Sequence, residues 1–386
     1  MPLTNAQLLI TANFLHFVAS GLMKSSFIVH FVSNGGNYFI LGLLVSSSFV
    51  AATLSRYVVA IIDLNKKFAI TFCLYSTFCT YFLLMFSSNR WTLWLCRTCY
   101  VLTNQIYDLS QEFLETNEEF SLRGLSHLLK VTKFAGTITG AIVGGYVYDA
   151  SGSFLSVAAG TSLVTLLAIS FVQNLEPEVR NTRNRLSLQP LRKYSSGIKL
   201  LQYRQYPQKW KRVVLMLAFT FVYKIYFSGF IFLANSPDEI STILIGFSVA
   251  YRRIVMYAYN VVVPFMQKMD INTNLLFDYC LSVSASSFCV LSLVPNRATY
   301  FFVFPPLVLT HTLIHSFFGN DIMHLRGARG LVESGILIKD LVSLFGPFFF
   351  GILSQHFPLM AFRTLMIFPI MVCGYLCEQS FYSRET

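Results

Sequence analysis

Read along the chain, apolar residues gather into long continuous runs separated by short polar breaks. The runs fall at 7–33, 38–62, 67–87, 91–112, 123–148, 154–173, 212–234, 239–266, 273–294, 298–322, 329–356 and 359–377. A bilayer core ~30 Å thick is crossed by ~20 apolar residues rising ~1.5 Å each, so every run is long enough to span it. Continuous runs also exclude an outer-membrane barrel, whose strands alternate over ~10 residues. The pattern predicts an all-α polytopic membrane protein: twelve transmembrane helices in two pseudo-symmetric six-helix halves. The halves are 1–173 and 212–378, joined by a linker at 174–211 and followed by a tail at 379–386.

The linker carries Arg180, Arg183, Arg185, Arg192, Lys193, Lys199, Arg204, Lys209 and Lys211 against only Glu176 and Glu178, and residues 189–206 suit a surface-lying helix. Basic loops mark the cytoplasmic side. Placing the N-terminus inside puts this linker, Lys66, Lys67, Arg123, Lys268, Arg326 and Arg329 together on that side. Arg90, Arg297 and Arg363 are left outside. Both termini are therefore expected in the cytoplasm. The first run is too long and lacks the basic flank of a cleavable signal, so it reads as a retained helix.

Composition agrees. Of 386 residues, 54% are hydrophobic and 12% charged, with a mean hydropathy of +0.57; soluble domains carry about 25% charged residues. The net charge of +11 would suggest nucleic acid in a soluble chain, but here it reflects loops facing anionic lipid. No nucleic-acid partner is expected. Cys96-x-x-Cys99 and Cys373-x-x-x-Cys377 lie in apolar runs without further ligands and read as filler, so neither metal nor cofactor is expected.

An internal repeat appears on shifting the chain by 206 residues. Arg123-Gly124-Leu125 then falls on Arg329-Gly330-Leu331, Lys133 on Lys339, Gly140 on Gly346 and Gly145 on Gly351. Glu115 falls on Asp321 and Gln105 on His311. These matches, in one frame and between helices of matching order, argue for duplicated halves.

Two six-helix halves with a basic central linker resemble the major facilitator superfamily over the whole chain. In helix five, Gly136-Thr-Ile-Thr-Gly140-Ala141-Ile-Val-Gly144-Gly145 resembles that family's G-x-x-x-G-P-x-x-G-G signature, with Ala141 in place of proline. The following Gly145-x-x-x-Asp149-x-x-Gly152 resembles its turn between helices five and six, and Phe345-Gly346-Pro347 with Gly351 is the counterpart in helix eleven. Helix five is also similar to that of tetracycline-type drug/proton antiporters; the subfamily stays open. The loop after helix two departs from the family's G-x-x-x-D-R-x-G-R-R. Val59-Ala-Ile-Ile-Asp63-Leu-Asn-Lys66-Lys67 keeps one Asp and the basic pair but lacks the glycine. The resemblance implies transport by alternating access, with altered control at that loop.

Ionisable residues at bilayer depth cost at least ~2.5 kcal/mol each to insert and therefore face a protein interior. Helix one sets Asn13, His16, Ser20 and Lys24 on one face. Helix seven has Tyr223 and Lys224 near its midpoint, and helix eight has Arg252, Arg253 and Tyr257. Lys24, Lys224, Arg252, Arg253, Tyr257 and His16 are the candidate substrate contacts. Adjacent arginines point about 100° apart, so one of them is open to a structural ion pair instead. Candidates for coupling or gating are Asp108 and Glu112 on helix four, Lys130 and Lys133 on helix five, and Lys339 and Asp340 on helix eleven. His311 and His315 on helix ten join them. Arg97, Asn104 and Asp108 share one face of helix four, grouped here as an inner-end cluster with Arg123 and His127.

Mid-depth cations outnumber acids, which points to an anionic visitor. The leading expectation is a secondary active transporter of a small organic solute, anionic in character, acting as a monomer with protons a candidate coupling ion. A proton-coupled exporter of amphipathic drugs or metabolites is the first alternative. A non-transporting receptor or membrane partner protein of the same fold is the second. An enzyme is not expected, since no nucleophile–base pair or phosphate-cradling glycine loop is present.

Overall fold

A computed structural model describes residues 4–61, 66–115, 125–175, 207–234, 242–266, 272–323 and 344–385. The predicted runs appear as helices: α1 Asn5–Ser33, α2 Tyr38–Ile61, α3 Lys66–Met85, α4 Arg90–Glu115, α5 Leu125–Ser151, α6 Phe154–Gln173. There follow α7 Pro207–Ala234, α8 Thr242–Met266, α9 Thr273–Leu293, α10 Arg297–Met323 and α11 at 344–356. The last run, α12, is divided into Pro358–Arg363, a single 3₁₀ turn Thr364–Met366, and Ile367–Glu385. Pro369 explains the division: it has no N–H for the carbonyl four residues back, and its ring crowds that carbonyl, so the turn before it tightens. The loop after α2 (62–65), the surface-helix expectation at 189–206 and the first part of the eleventh run lie outside the described residues.

Among the described residues, five helices are long and apolar enough to cross a membrane: Asn5–Ser33, Lys67–Met85, Phe154–Gln173, Leu275–Leu293 and Ala361–Glu378. Their outward faces fit lipid. Phe68, Phe72, Leu83, Leu163, Leu293 and Ile370 are all exposed, a surface that would aggregate in water and is matched by acyl chains.

The chain clusters into two compact units. Unit 1 is Met1–Gly36, Ser47–Leu188 and Asn235–Ile254; unit 2 is Asn37–Ser46, Gln189–Ala234 and Val255–Thr386. The start of α2 thus belongs with the later helices and the first half of α8 with the earlier ones.

In unit 1 the glycine signature of α5 forms two stripes of small residues about 100° apart. Gly136, Gly140 and Gly144 face α1. A Cβ on Gly136 would stand 2.6 Å from the Phe14 carbonyl oxygen, and on Gly140 or Gly144 it would overlap the carbonyls of Val18 or Leu22. From the other side, a Cβ on Gly21 would reach Thr137 O at 2.5 Å and Ala141 N at 2.8 Å. Ala141 and Gly145 make the second stripe, against the start of α8. A Cβ on Gly145 would meet Thr242 O at 2.6 Å, and one on Gly246 would strike the Ala141 carbonyl. Asp149 fastens this contact: its carboxylate accepts from the backbone N–H groups of Thr242 (3.0 Å) and Ile243 (3.1 Å). It satisfies otherwise orphaned donors and complements the positive end of the α8 dipole. Gly152, at φ +62°, then turns the chain into α6.

Below the glycine contact, Leu9 and Ala12 of α1, Cys73 and Leu74 of α3, Tyr107 of α4, Leu129 of α5 and Ala168 and Val172 of α6 form one buried core. Lys67, from the surviving basic pair, donates to the carbonyls of Leu175 and of Gln173 (3.3 Å), closing the C-terminal end of α6.

Unit 2 repeats the scheme. Gly346 of α11 faces Phe221 O (3.3 Å) and Lys224 Cβ (3.5 Å) of α7, as Gly140 faces Val18 of α1; the 206-residue shift carries Val18 onto Lys224. A Cβ on Gly351 would meet Tyr38 O at 2.8 Å and Gly42 Cα at 2.9 Å on α2, as one on Gly145 would meet α8. A Cβ on Gly42 would in turn reach the Pro347 carbonyl at 2.7 Å. Ser46 donates to Leu344 O at 2.8 Å, extending that contact.

Replacing Gly140 with Ala is expected to lower stability by about 1–3 kcal/mol, the usual penalty for overpacking. Gly160 on α6 has open space around it, so Gly160→Ala is the control and should stay within about 0.5 kcal/mol of the parent. Thermal unfolding in detergent distinguishes them, and equal behaviour of the two variants would contradict the packing described.

Candidate functional site

The polar face of α1 is turned into unit 1, and each member meets a different partner. Asn13 donates from Nδ2 to Leu129 O (2.9 Å) and Thr132 Oγ1 (2.8 Å) on α5. His16, fully enclosed, pairs through Nε2 with Asn104 Oδ1 at 3.0 Å and lies 4.2 Å from the Tyr107 ring. Because Oδ1 can only accept, Nε2 carries the proton in this pair. Tyr100 donates to Ser20 Oγ and reaches Asn104 Oδ1 at 3.5 Å. A continuous polar seam therefore joins α1 to α4 and α5.

Lys24 continues the seam. It is partly buried, as is Arg253 on the first half of α8. Arg253, Arg97 and Lys133 all act on Lys24 as like charges. Asp108 is the one carboxylate among the described residues that acts on Lys24, and it acts on Arg253 and His16 as well. Asp108 is itself engaged: Lys133 Nζ donates to its Oδ2 at 2.7 Å while standing 4.9 Å from the Phe17 ring centre.

Solved structures identify the arrangement. The chain is similar to the nucleoside transporter NupG over 97% of its own length and 99% of that chain, with a TM-score of 0.69 at 14% identity. It is similar to the human organic anion transporter MFSD10 (TETRAN) over 95% and 97%, TM-score 0.59, at 11% identity. A proton dependent oligopeptide transporter structure matches over 99% of each chain, TM-score 0.67, at 12% identity. The chain has the major facilitator fold. No family model matches it, and no curated protein matches it in sequence. The likeness is one of fold, with the subfamily open.

Within the major facilitator fold the remaining candidates distribute as follows. Arg252 is partly buried in the unit 1 segment of α8, while Tyr257, one turn beyond Arg253, belongs to the unit 2 segment. Lys224 lies on α7 in unit 2 against Gly346. His311 of α10 stacks on Tyr223 (4.2 Å, 22°) inside an aromatic cluster of Phe219, Tyr226, Phe288 and Phe368. Lys130 is exposed on α5. Glu112 and His315 sit on α4 and α10 with side chains outside the described set, and Lys339 and Asp340 lie outside the described residues. All eight cysteines are free. Among the described residues no group of three His, Cys, Asp or Glu side chains is arranged to hold a metal.

One contributor, Tyr100, escaped the sequence reading, and another, Arg97, was grouped with other residues than those it meets. Tyr100, one turn before Asn104, links α4 to Ser20. Arg97 does not join an inner-end cluster with Asp108. The two are 11 residues apart, about 16 Å along α4, and the Arg97 guanidinium stands over Phe27 (5.7 Å) and Tyr100 (5.1 Å), beside Lys24. The i, i+3, i+7, i+11 spacing of Arg97, Tyr100, Asn104 and Asp108 was the available signal.

Removing Asp108 leaves Lys133 uncompensated near further cations, and removing Lys133 takes from Asp108 its hydrogen-bonded partner while Lys24 and Arg253 still act on it. Asp108→Asn and Lys133→Met are each expected to destabilise the protein, and the double variant less than their sum, with a coupling of about 0.5–3 kcal/mol. Strict additivity in thermal unfolding would show that the pair carries no energy.

Proposed function

We propose that the chain is a secondary active transporter of a small organic anion, working by alternating access. The observation carrying this reading is the charge imbalance in unit 1. Lys24 and Arg253, partly buried on two helices of unit 1, repel each other as like charges, and Asp108, the described carboxylate that acts on both, is already held by Lys133. Cations at bilayer depth without counter-charges are expensive, and a solute carrying negative charge relieves that expense on binding.

The fold supports the transport part. Solved structures of this shape include transporters of nucleosides, organic anions and peptides. In such a cycle the halves 1–173 and 212–378 rock about the substrate, with the linker 174–211 and both termini on the cytoplasmic side of the membrane. Asp108, released from Lys133, serves as the proton-accepting group if transport is proton-coupled.

Purified protein should be stabilised against heat by organic anions. A ligand at ~100 times its dissociation constant contributes about 2.7 kcal/mol. Lys24→Met and Arg253→Gln should abolish that shift and abolish uptake into proteoliposomes, while leaving ligand-free unfolding near that of the parent. Stabilisation by amphipathic cations with none by anions would replace this reading with a drug exporter.

A further inference from the structure

Cys373 and Cys377 read as apolar filler in the sequence, yet neither is packed into a core. Cysteine is among the residue types most often buried, and Cys73, Cys96 and Cys280 are buried here. Cys373 and Cys377 are both exposed, one helical turn apart on α12. Their face is the outward one. Val372 and Tyr375, on the opposite face, are 1% and 7% exposed, while Ile370, on the face of the two thiols, is 67% exposed. The apolar segment Ala361–Glu378 is long enough to cross a membrane, so its exposed apolar face borders acyl chains.

Depth singles out this pair. Glu378, beside Cys377, ends the apolar segment and accepts from Lys211 Nζ, with 41% and 42% of the two side chains exposed. An ion pair keeping that much surface belongs to the headgroup zone, since charges at bilayer depth are costly. Cys377 therefore lies at the interface, and Cys373 about 6 Å deeper. Lys211 closes the basic linker, so this interface is the cytoplasmic one in the orientation proposed above. The other exposed cysteines are far from the cytoplasmic ends of their helices in that orientation. Cys79 is 13 residues beyond Lys66 on α3, about 20 Å, and Cys99 is 16 residues before Glu115 on α4, about 24 Å.

A thiol at the level of Cys377 meets both parts of a long-chain acyl-coenzyme A, the polar carrier in the headgroup zone and the acyl chain in hydrocarbon. Resting on the cytoplasmic orientation above, we propose that Cys377, with Cys373 as a second acceptor, is an S-acylation site. The cysteine thiolate attacks the thioester carbonyl; the new sulfur–acyl bond forms and the bond to coenzyme A breaks. The proton given up by the cysteine passes to the departing coenzyme A sulfur, so no oxidant or reductant is consumed. The attached chain then lies along the Ile370 face, among the lipids that border it.

The test uses the full chain expressed in yeast with an epitope after Thr386. Free thiols are blocked, thioesters are cleaved with hydroxylamine, and the released thiols are tagged with a maleimide polymer, so each acyl group gives one step in mass. The parent should show a hydroxylamine-dependent step. Cys377→Ser should remove most of the shifted protein and the Cys373→Ser/Cys377→Ser double variant all of it, while Cys79→Ser and Cys99→Ser leave it unchanged. Absence of the step in the parent overturns the proposal, as does a step that survives in the double variant. Mass spectrometry of the parent peptide containing residues 373–377 locates the acyl group even if the variants fail to accumulate, and unmodified thiols there overturn the assignment. Digestion of the epitope by protease added outside intact cells overturns the orientation together with the acylation. A protected epitope without a mass step overturns the acylation alone.

Discussion

Everything placed in the polar interior of unit 1 depends on how closely α1 approaches α5. In lipid there is no hydrophobic force pulling two apolar helices together, so association rests on dispersion contacts and hydrogen bonds made at short range. Gly136, Gly140 and Gly144 remove every Cβ along one face of α5, and Gly21 removes the facing one on α1, so backbone touches backbone. At that distance Asn13 reaches Leu129 O and Thr132. One added methyl group on α5 would push α1 away by more than a hydrogen bond can stretch. The second stripe, Ala141 and Gly145, applies the same device to α8, and Asp149 holds the α8 end against it. A single helix therefore sets both distances that bring Lys24 and Arg253 to one interior.

That dual use explains the spacing G-x-x-x-G-A-x-x-G-G as geometry. Positions 136, 140 and 144 recur every four residues and serve α1; positions 141 and 145 recur every four residues, offset by one, and serve α8. The counterpart in α11 keeps the two relations with different tightness. Gly351 presses on α2 nearly as closely as Gly145 does on α8, whereas Gly346 leaves more room to α7, with 3.3 Å from an added Cβ to the nearest atom. Aromatic contacts of Phe219 with Phe288 and Phe368, and of Tyr226 with Tyr300, hold α7 to α9, α12 and α10 instead.

Helix positions were readable from the sequence because lipid makes one demand of every span: a continuous apolar run of the right length. Among the described residues the ends agree with the runs to within about five residues, except that the last helix continues to Glu385, and the one internal break, in α12, follows from Pro369. The polar face Asn13–His16–Ser20–Lys24 was equally readable from helical spacing. Its partners were not. Pairing His16 with Asn104, or Ser20 with Tyr100, requires the rotation of α4 about its own axis, and spacing within one helix carries no information about the neighbour. Lys133 and Asp108 each stood out as costly at bilayer depth, but their mutual contact follows only from the packing of α4 on α5. Arg97 was misgrouped for a related reason: charge sign suggested a cluster that the length of α4 does not permit.

Net charge is a poor guide to this interior. The linker at 174–211, with nine basic residues against two acidic ones, holds most of the chain's excess of +11, yet its charges face water and ions that screen them. The few cations deep in unit 1 hardly alter the total, but they sit where the dielectric is low and counter-ions cannot follow freely. Electrostatic consequence depends on location, so the decisive quantity is local: which positive groups already have an acid and which do not. Lys133 has Asp108; Lys24 and Arg253 share only its residual field. An interior built permanently neutral would bind an anion weakly. One left with this local deficit, held in place by helices locked backbone to backbone, is preorganised for a negative charge that arrives from solution and later departs.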